Sequence, residues 1–230
     1  MGQPRYVTKV LTASSPTAVC ASQTPSGAGN MLINGGSASG GIATLDTSRQ
    51  VLFTFAADET GHTFVVYGTS EGVPVMQETV AGTTAGTVAT TQSFNTVSRI
   101  SISAAATGAI TVGTNGVGAT PWQVVNRAVT PLNLGIGVTV LGTVNFTVEY
   151  TYDDPSGTYP NPATVTQGYQ VTGQYASLIQ FPTAWSLSAL ASKAAATDSS
   201  ITFPIAAWRL KVNSGTGTAQ AIAVQSGDLY

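Results

Sequence analysis

Hydrophobic and polar positions alternate along most of this chain, and a helical period is nearly absent. Short β-branched and aromatic runs sit between Gly, Asn, Asp and Pro, the pattern of strands joined by turns. Residues 5–11 alternate like a strand. Residues 51–57 put Val51, Phe53 and Phe55 on one face, Asp58-Glu59-Thr60-Gly61 reads as a turn, and residues 63–68 read as the return strand. Residues 73–80 follow, and residues 92–102 and 109–112 flank the turn Ala106-Thr107-Gly108, so this stretch reads as a meander of hairpins. Residues 135–141 and 144–152 predict another hairpin about Gly142-Thr143. In its second strand Val144, Phe146, Val148 and Tyr150 share one face and Asn145, Thr147, Glu149 and Thr151 the other, which predicts an antiparallel sheet with one wet side. Residues 153–174, with Pro155, Pro160 and Pro162, read as a loop. Residues 187–196 are the one stretch with a short-helix reading, and strands over 201–212 and 218–224 close the chain.

A Gly/Ser-rich stretch over 22–41 reads as an extended arm or loop. An internal repeat follows it. Phe94-Asn95-Thr96-Val97-Ser98-Arg99-Ile100-Ser101-Ile102 matches residues 203–212, and each is followed by a small-residue turn and a last strand. Upstream, residues 51–67 match residues 138–152. The expected fold is therefore all-β: two related antiparallel β-sandwich units, jelly-roll or immunoglobulin-like, behind an extended Gly/Ser-rich N-terminal arm. The expected boundaries are 1–41 for the arm, 42–118 for the first unit, 119–129 for a Pro/Trp linker and 130–230 for the second unit.

Composition changes the picture at the surface. Of 230 residues, 8 are Lys or Arg, 10 are Asp or Glu and 1 is His, while the apolar content is 43%. A disordered chain has the opposite balance. A compact monomer of this mass exposes roughly 9,700 Å², so there is one charge per roughly 500 Å². Charge depletion marks the centre of interfaces, which points to a surface covered in an assembly; a Ser/Thr-coated monomer is the plainer alternative. The basic residues form no patch beyond Arg209 and Lys211. Counterion release needs clustered cations, so nucleic acid is not an expected partner. No run of 18 apolar residues occurs, and no membrane association or secretory leader is expected. One cysteine leaves stability to packing and sheet hydrogen bonds.

Few residues offer chemistry. His62 lies next to Asp58 and Glu59, but a catalytic His needs a nucleophile as well as a carboxylate, and a solvated turn residue is the preferred reading. Asp153-Asp154 before Pro155 reads as turn chemistry, since a hard-cation site needs further ligands at a recognisable spacing. Cys20, with no His or second Cys near it in sequence, reads as a small apolar residue. Asn145-Phe146-Thr147 matches a glycosylation acceptor without the leader that would give the match meaning. No catalytic, metal-binding or cofactor-binding residue is expected, and the chain does not read as an enzyme. Arg99 and Arg209 hold equivalent places in the repeat, as interface ion-pair residues or as charges that blunt a sheet edge. Trp122, Trp185, Trp208, Tyr159, Tyr169 and Tyr175 fall mainly in linkers and loops. Subunit interfaces concentrate such side chains; sugar-binding modules also use them. The expected interface set is Trp122, Trp185, Trp208, Tyr159, Tyr169, Arg99 and Arg209.

Several segments resemble a family of tailed-bacteriophage virion proteins that usually carry no assigned role. They are Gly61-His62-Thr63-Phe64-Val65-Val66-Tyr67-Gly68-Thr69, Glu78-Thr79-Val80-Ala81-Gly82, Gly86-Thr87-Val88, residues 94–102, Thr111-Val112-Gly113-Thr114-Asn115-Gly116, Thr120-Pro121-Trp122, residues 143–155 and residues 208–217. The resemblance covers about residues 50–155 and 200–227, and lies in strand and turn text rather than in chemical motifs. It implies a particle component and carries over no catalytic residue. The expected role is a head decoration (cement) protein in the virion, assembled in the host cytoplasm. It would be a homo-oligomer, a trimer by preference, contacting the major capsid protein or neighbouring virion proteins. A neck, tail or fibre-adaptor component is the second expectation, and a carbohydrate- or receptor-binding β module the third.

Overall fold

A computed structural model describes residues 5–10, 13–70, 73–127, 129–155 and 183–229. Its strands are β1 (Arg5–Val10), β2 (Cys20–Gln23), β3 (Gly29–Asn30), β4 (Ala38–Ser39), β5 (Ile42–Phe55), β6 (Thr63–Ser70), β7 (Val73–Ala81), β8 (Gly86–Ile102) and β9 (Ile110–Ala119). They continue with β10 (Gln123–Val124), β11 (Val129–Leu141), β12 (Val144–Thr151), β13 (Trp185–Ser186), β14 (Thr197–Ile201), β15 (Ala207–Gly215) and β16 (Thr218–Leu229). The fold is all-β, with antiparallel sheets of sandwich type. Two compact units form. One gathers the described residues of Met1–Ala13, Gly116–Gly157 and Phe181–Tyr230; the other holds those of Ser14–Asn115.

In the first unit one sheet has the order β1-β16-β11-β14. β12 pairs with β15, and β13, β10 and the end of β9 extend that second sheet. The core between them takes Leu134, Ile136 and Val138 from β11, Phe146 and Val148 from β12, Trp208, Leu210 and Val212 from β15, and Ala219, Ala221 and Ala223 from β16. Their alternate spacing is what points them inward together. Each large member contributes about 1.5–3 kcal/mol by leaving water.

Gly142-Thr143 does not close a hairpin. β11 pairs with β16 and β14, β12 with β15 and β13, so this corner carries the chain from one sheet to the other. Thr216-Gly217 makes the same crossing between β15 and β16, and the two corners stack: the Gly217 amide donates to the Thr143 carbonyl at 2.9 Å. Gly215 has φ +98°, and a Cβ there would run into the Thr143 carbonyl. Gly142, at φ +77°, has ordinary room for a Cβ.

Other expectations need correction. Residues 187–196 hold only a single 3-10 turn, Ser188–Leu190, because Leu187 and Lys193 make backbone bonds to the edge of β12. The strand expected over 201–212 breaks at Phe203-Pro204, so β14 and β15 join different sheets. The expected wet side of β12 is not wet: Thr147, Glu149 and Thr151 are all buried.

The second unit runs β9-β5-β8-β6-β7. The expected hairpin of residues 51–57 with 63–68 does not form, because β8 lies between the two strands. Residues 86–97 of β8 pair with β5 and residues 96–102 with β6. β6 and β7 do form a hairpin. The rings of Phe53, Phe55 and Phe64 pack with centroids 5.1–6.1 Å apart. The Gly/Ser-rich stretch lies along this unit: β2 pairs with β9, β3 with β8 and β4 with β5. β1 pairs in the first unit, from Arg5 beside Ala223 to Val10 beside Thr218.

Candidate interaction surface

Two clusters in the first unit gather the side chains that can recognise a partner. The first is built by register. β10 pairs Gln123 with Trp208, which brings Trp122 beside the next residue of β15, Arg209. The Arg209 guanidinium lies 4.4 Å from the Trp122 ring centre, a cation–π contact. β12 pairs Glu149 with Arg209. Arg209 Nε donates to Glu149 Oε2 at 2.7 Å, and Lys211 Nζ to Oε1 at 3.2 Å. Beside them Thr147 Oγ1 accepts from the Ser192 amide at 3.0 Å and from Asn213 Nδ2 at 2.8 Å. Glu149 is thus a nearly buried carboxylate between two cations. Removing one cation leaves the other in place, so it costs about 1.5–3 kcal/mol, the range of a hydrogen bond to a charged group. The cluster is satisfied internally, so it holds strands in register before it can bind anything else.

The second cluster is aromatic and half in water. Tyr150 packs edge-on against Phe203 at 5.1 Å and against Tyr152 at 5.6 Å, and Tyr152 meets Trp185 at 6.5 Å. Tyr152 is 57% exposed and Trp185 50%. Beyond them Asp153 Oδ2 accepts from the Thr183 amide at 2.8 Å, and Arg127 pairs with Asp154 at 3.2 Å on the surface. Asp153 and Asp154 therefore serve the turn and an exposed ion pair. Exposed rings beside a polar pair can stack on an apolar or a sugar surface.

The expected interface residues are placed as follows. Trp122 and Arg209 come together, and Trp185 joins the aromatic cluster. Trp208 is 1% exposed, in the core. Arg99 is exposed in the second unit, with its guanidinium 3.7 Å from the Tyr67 ring centre. Each of the two arginines matched by the repeat thus lies over an aromatic ring. Tyr159 and Tyr169 lie outside the described residues.

Glu59 is the functional-looking residue that alternation missed. It is fully buried beneath the turn, where Oε1 accepts from the Thr107 and Gly108 amides at 2.9 Å each. His62 Nδ1 lies 2.6 Å from Oε2, so His62 is paired rather than simply solvated. The one sequence signal was the spacing of Glu59 and His62, three residues apart in a turn. Asp58 Oδ1 accepts from the Thr60 hydroxyl and amide, which hold its carboxyl below the ordinary range. Burial pushes the Cys20 thiol up to about 12, in keeping with a small apolar role. Among the described residues no group of three or more His, Cys, Asp or Glu is placed to hold a metal ion.

No protein-family model matches the chain, and no curated protein or solved structure shows significant similarity to it.

Proposed function

We propose that this chain is a structural component of a phage virion, a head decoration (cement) protein that stabilises the capsid shell by self-association and contact with the major capsid protein. The observation that carries the reading is how the scarce polar chemistry is used. Glu59 and Glu149 are buried among their own donors, while large apolar and aromatic side chains such as Tyr152 and Trp185 stand in water. A surface of that kind costs little to desolvate and suits extensive contact. The sheets need no disulfide, since Cys20 is buried and free. The resemblance of residues 50–155 and 200–227 to virion proteins points the same way. The role involves no catalytic step, no cofactor and no nucleic acid.

The test is copy number per purified particle, by quantitative peptide mass spectrometry against the major shell protein. Copies in the hundreds support a shell-covering role. About a dozen or fewer would move the chain to the neck, tail or a fibre, where few-fold symmetric assemblies sit. None would sink the virion reading.

The exposed Tyr152 and Trp185 rings beside the Arg127–Asp154 pair favour a second reading, a glycan-binding module on the particle. A glycan array in which binding is lost with Trp185→Ala would support it.

A further inference from the structure

The sheet β1-β16-β11-β14 turns its outer face to solvent, and that face is nearly free of charge. Register defines it in rows. Val10, Thr218 and Leu141 form one; Thr8, Gln220 and Thr139 the next; Tyr6, Ile222 and Gly137 the third. The outer face of a sandwich sheet is normally the polar one. Here Leu141 is 75% exposed, Tyr6 63% and Val10 51%. Among the described residues of these rows the one charge is Asp198, beside Gly137 on the edge strand β14.

Gly137 is the second observation. It lies inside β11 without a positive φ, and a Cβ built on it would meet nothing within 4 Å. The fold within one chain does not require glycine there. Glycine inside a strand weakens it, and often marks a place where another backbone or a ligand approaches closely.

We infer that this face pairs with the same face of a second copy, about a two-fold axis that lies in the interface along the Thr8-Gln220-Thr139 row. That operation reverses the strands and exchanges the rows on either side of the axis. Leu141 of each copy then drops into the gap over the other's Gly137, and Val10 covers the other's Tyr6. The uncharged middle row meets itself, where hydroxyl and amide groups can pair. A two-fold contact brings like residues together, so a charged face would repel itself; this one does not. A partner of another kind would find almost no charge to match. The pairing closes with two copies, whereas the trimer expected of a decoration protein needs two different faces. With rows about 7 Å apart and strands about 4.8 Å apart, three rows across three strands cover roughly 300 Å², small against the roughly 800 Å² per partner of a standard interface, so the free dimer is weak and gains strength when many copies sit on one lattice.

The inference rests on the self-association proposed above, but its test needs no particle. Sedimentation equilibrium of the full chain at about 1–100 μM, the range of a weak contact, is expected to reach twice 23.3 kDa. Gly137→Arg fills the gap and is expected to weaken the dimer by about tenfold or more, the scale of one lost anchor. Thr139→Cys, at an exposed position on the axis, is expected to cross-link to its own counterpart through a bismaleimide with a spacer of about 8–13 Å, since packed sheets stand about 10 Å apart and a direct disulfide needs Cα atoms within about 7 Å; Cys20 is buried and does not compete. A chain that stays monomeric, a trimer, an association unchanged by Gly137→Arg, or a Thr139→Cys variant that forms no cross-linked dimer overturns the pairing. A monomer found in hundreds of copies per particle would overturn the pairing and spare the virion role; a dimer absent from particles would do the reverse.

Discussion

A carboxylate shut away from water has to find donors, and Glu59 finds three: the amides of Thr107 and Gly108 and the ring of His62. They tie the turn after β5 to the turn before β9. Glu59→Ala would leave the two amides with no acceptor under the turn. Each unsatisfied buried group costs about 1–3 kcal/mol, so the substitution is expected to lower unfolding free energy by roughly 3 kcal/mol in urea titration. His62→Ala keeps both amide bonds and is expected to cost about 1 kcal/mol. Equal losses would mean that the histidine, not the amides, anchors the carboxylate. Nothing in the alternation distinguishes Glu59 from Asp58, its exposed neighbour. What separates them is the Thr107-Gly108 turn, nearly fifty positions away in sequence.

At the scale of elements, the stacked corners of the first unit are where glycine is needed. Gly215→Ala puts a methyl against the Thr143 carbonyl at a strained φ, and is expected to destabilise by more than about 2 kcal/mol. Gly142→Ala meets no clash but carries the strain of its own φ of +77°, and is expected to cost about 1–2 kcal/mol. Thermal unfolding of the two variants checks the difference; equal losses would mean that φ, positive at both positions, matters more than contact. These corners also mark what was legible in the chain. The alternation of Val144, Phe146 and Val148 correctly gave the inward face of β12, and Gly142-Thr143 a change of direction. Local text cannot say whether a reversal stays in one sheet or crosses to another, since that depends on which distant strand each arm pairs with. The same limit hid β8 between β5 and β6. It also made Glu149 look wet: alternation sees that a side chain points away from the core, not that Arg209 and Lys211 come to meet it. Trp122 and Arg209 each stand out in the sequence, but only the Gln123–Trp208 register brings them together.

For the molecule as a whole, scarce charge predicts indifference to salt. The ion pairs of Arg209, Lys211 and Glu149 and of Arg49 and Asp46 involve buried or half-buried groups, where screening is weak. Between about 0.05 and 1 M sodium chloride the unfolding free energy is expected to change by less than about 0.5 kcal/mol, within the median value of one surface pair. A larger fall in urea titrations across that range would show that exposed ion pairs carry more of the stability than their geometry suggests. The placing of β1 has a consequence in time. Its partner β16 leaves the ribosome about 200 residues after it, and at about 5–20 residues per second the wait is roughly ten to forty seconds. Residues 14–115, the described part of one unit, are synthesised long before that, while the other unit still lacks its closing strand. Through that interval each nascent chain trails an unpaired edge strand, and chains growing side by side on one message can exchange theirs. Synthesis is thus the stage at which copies of this protein are most able to become entangled.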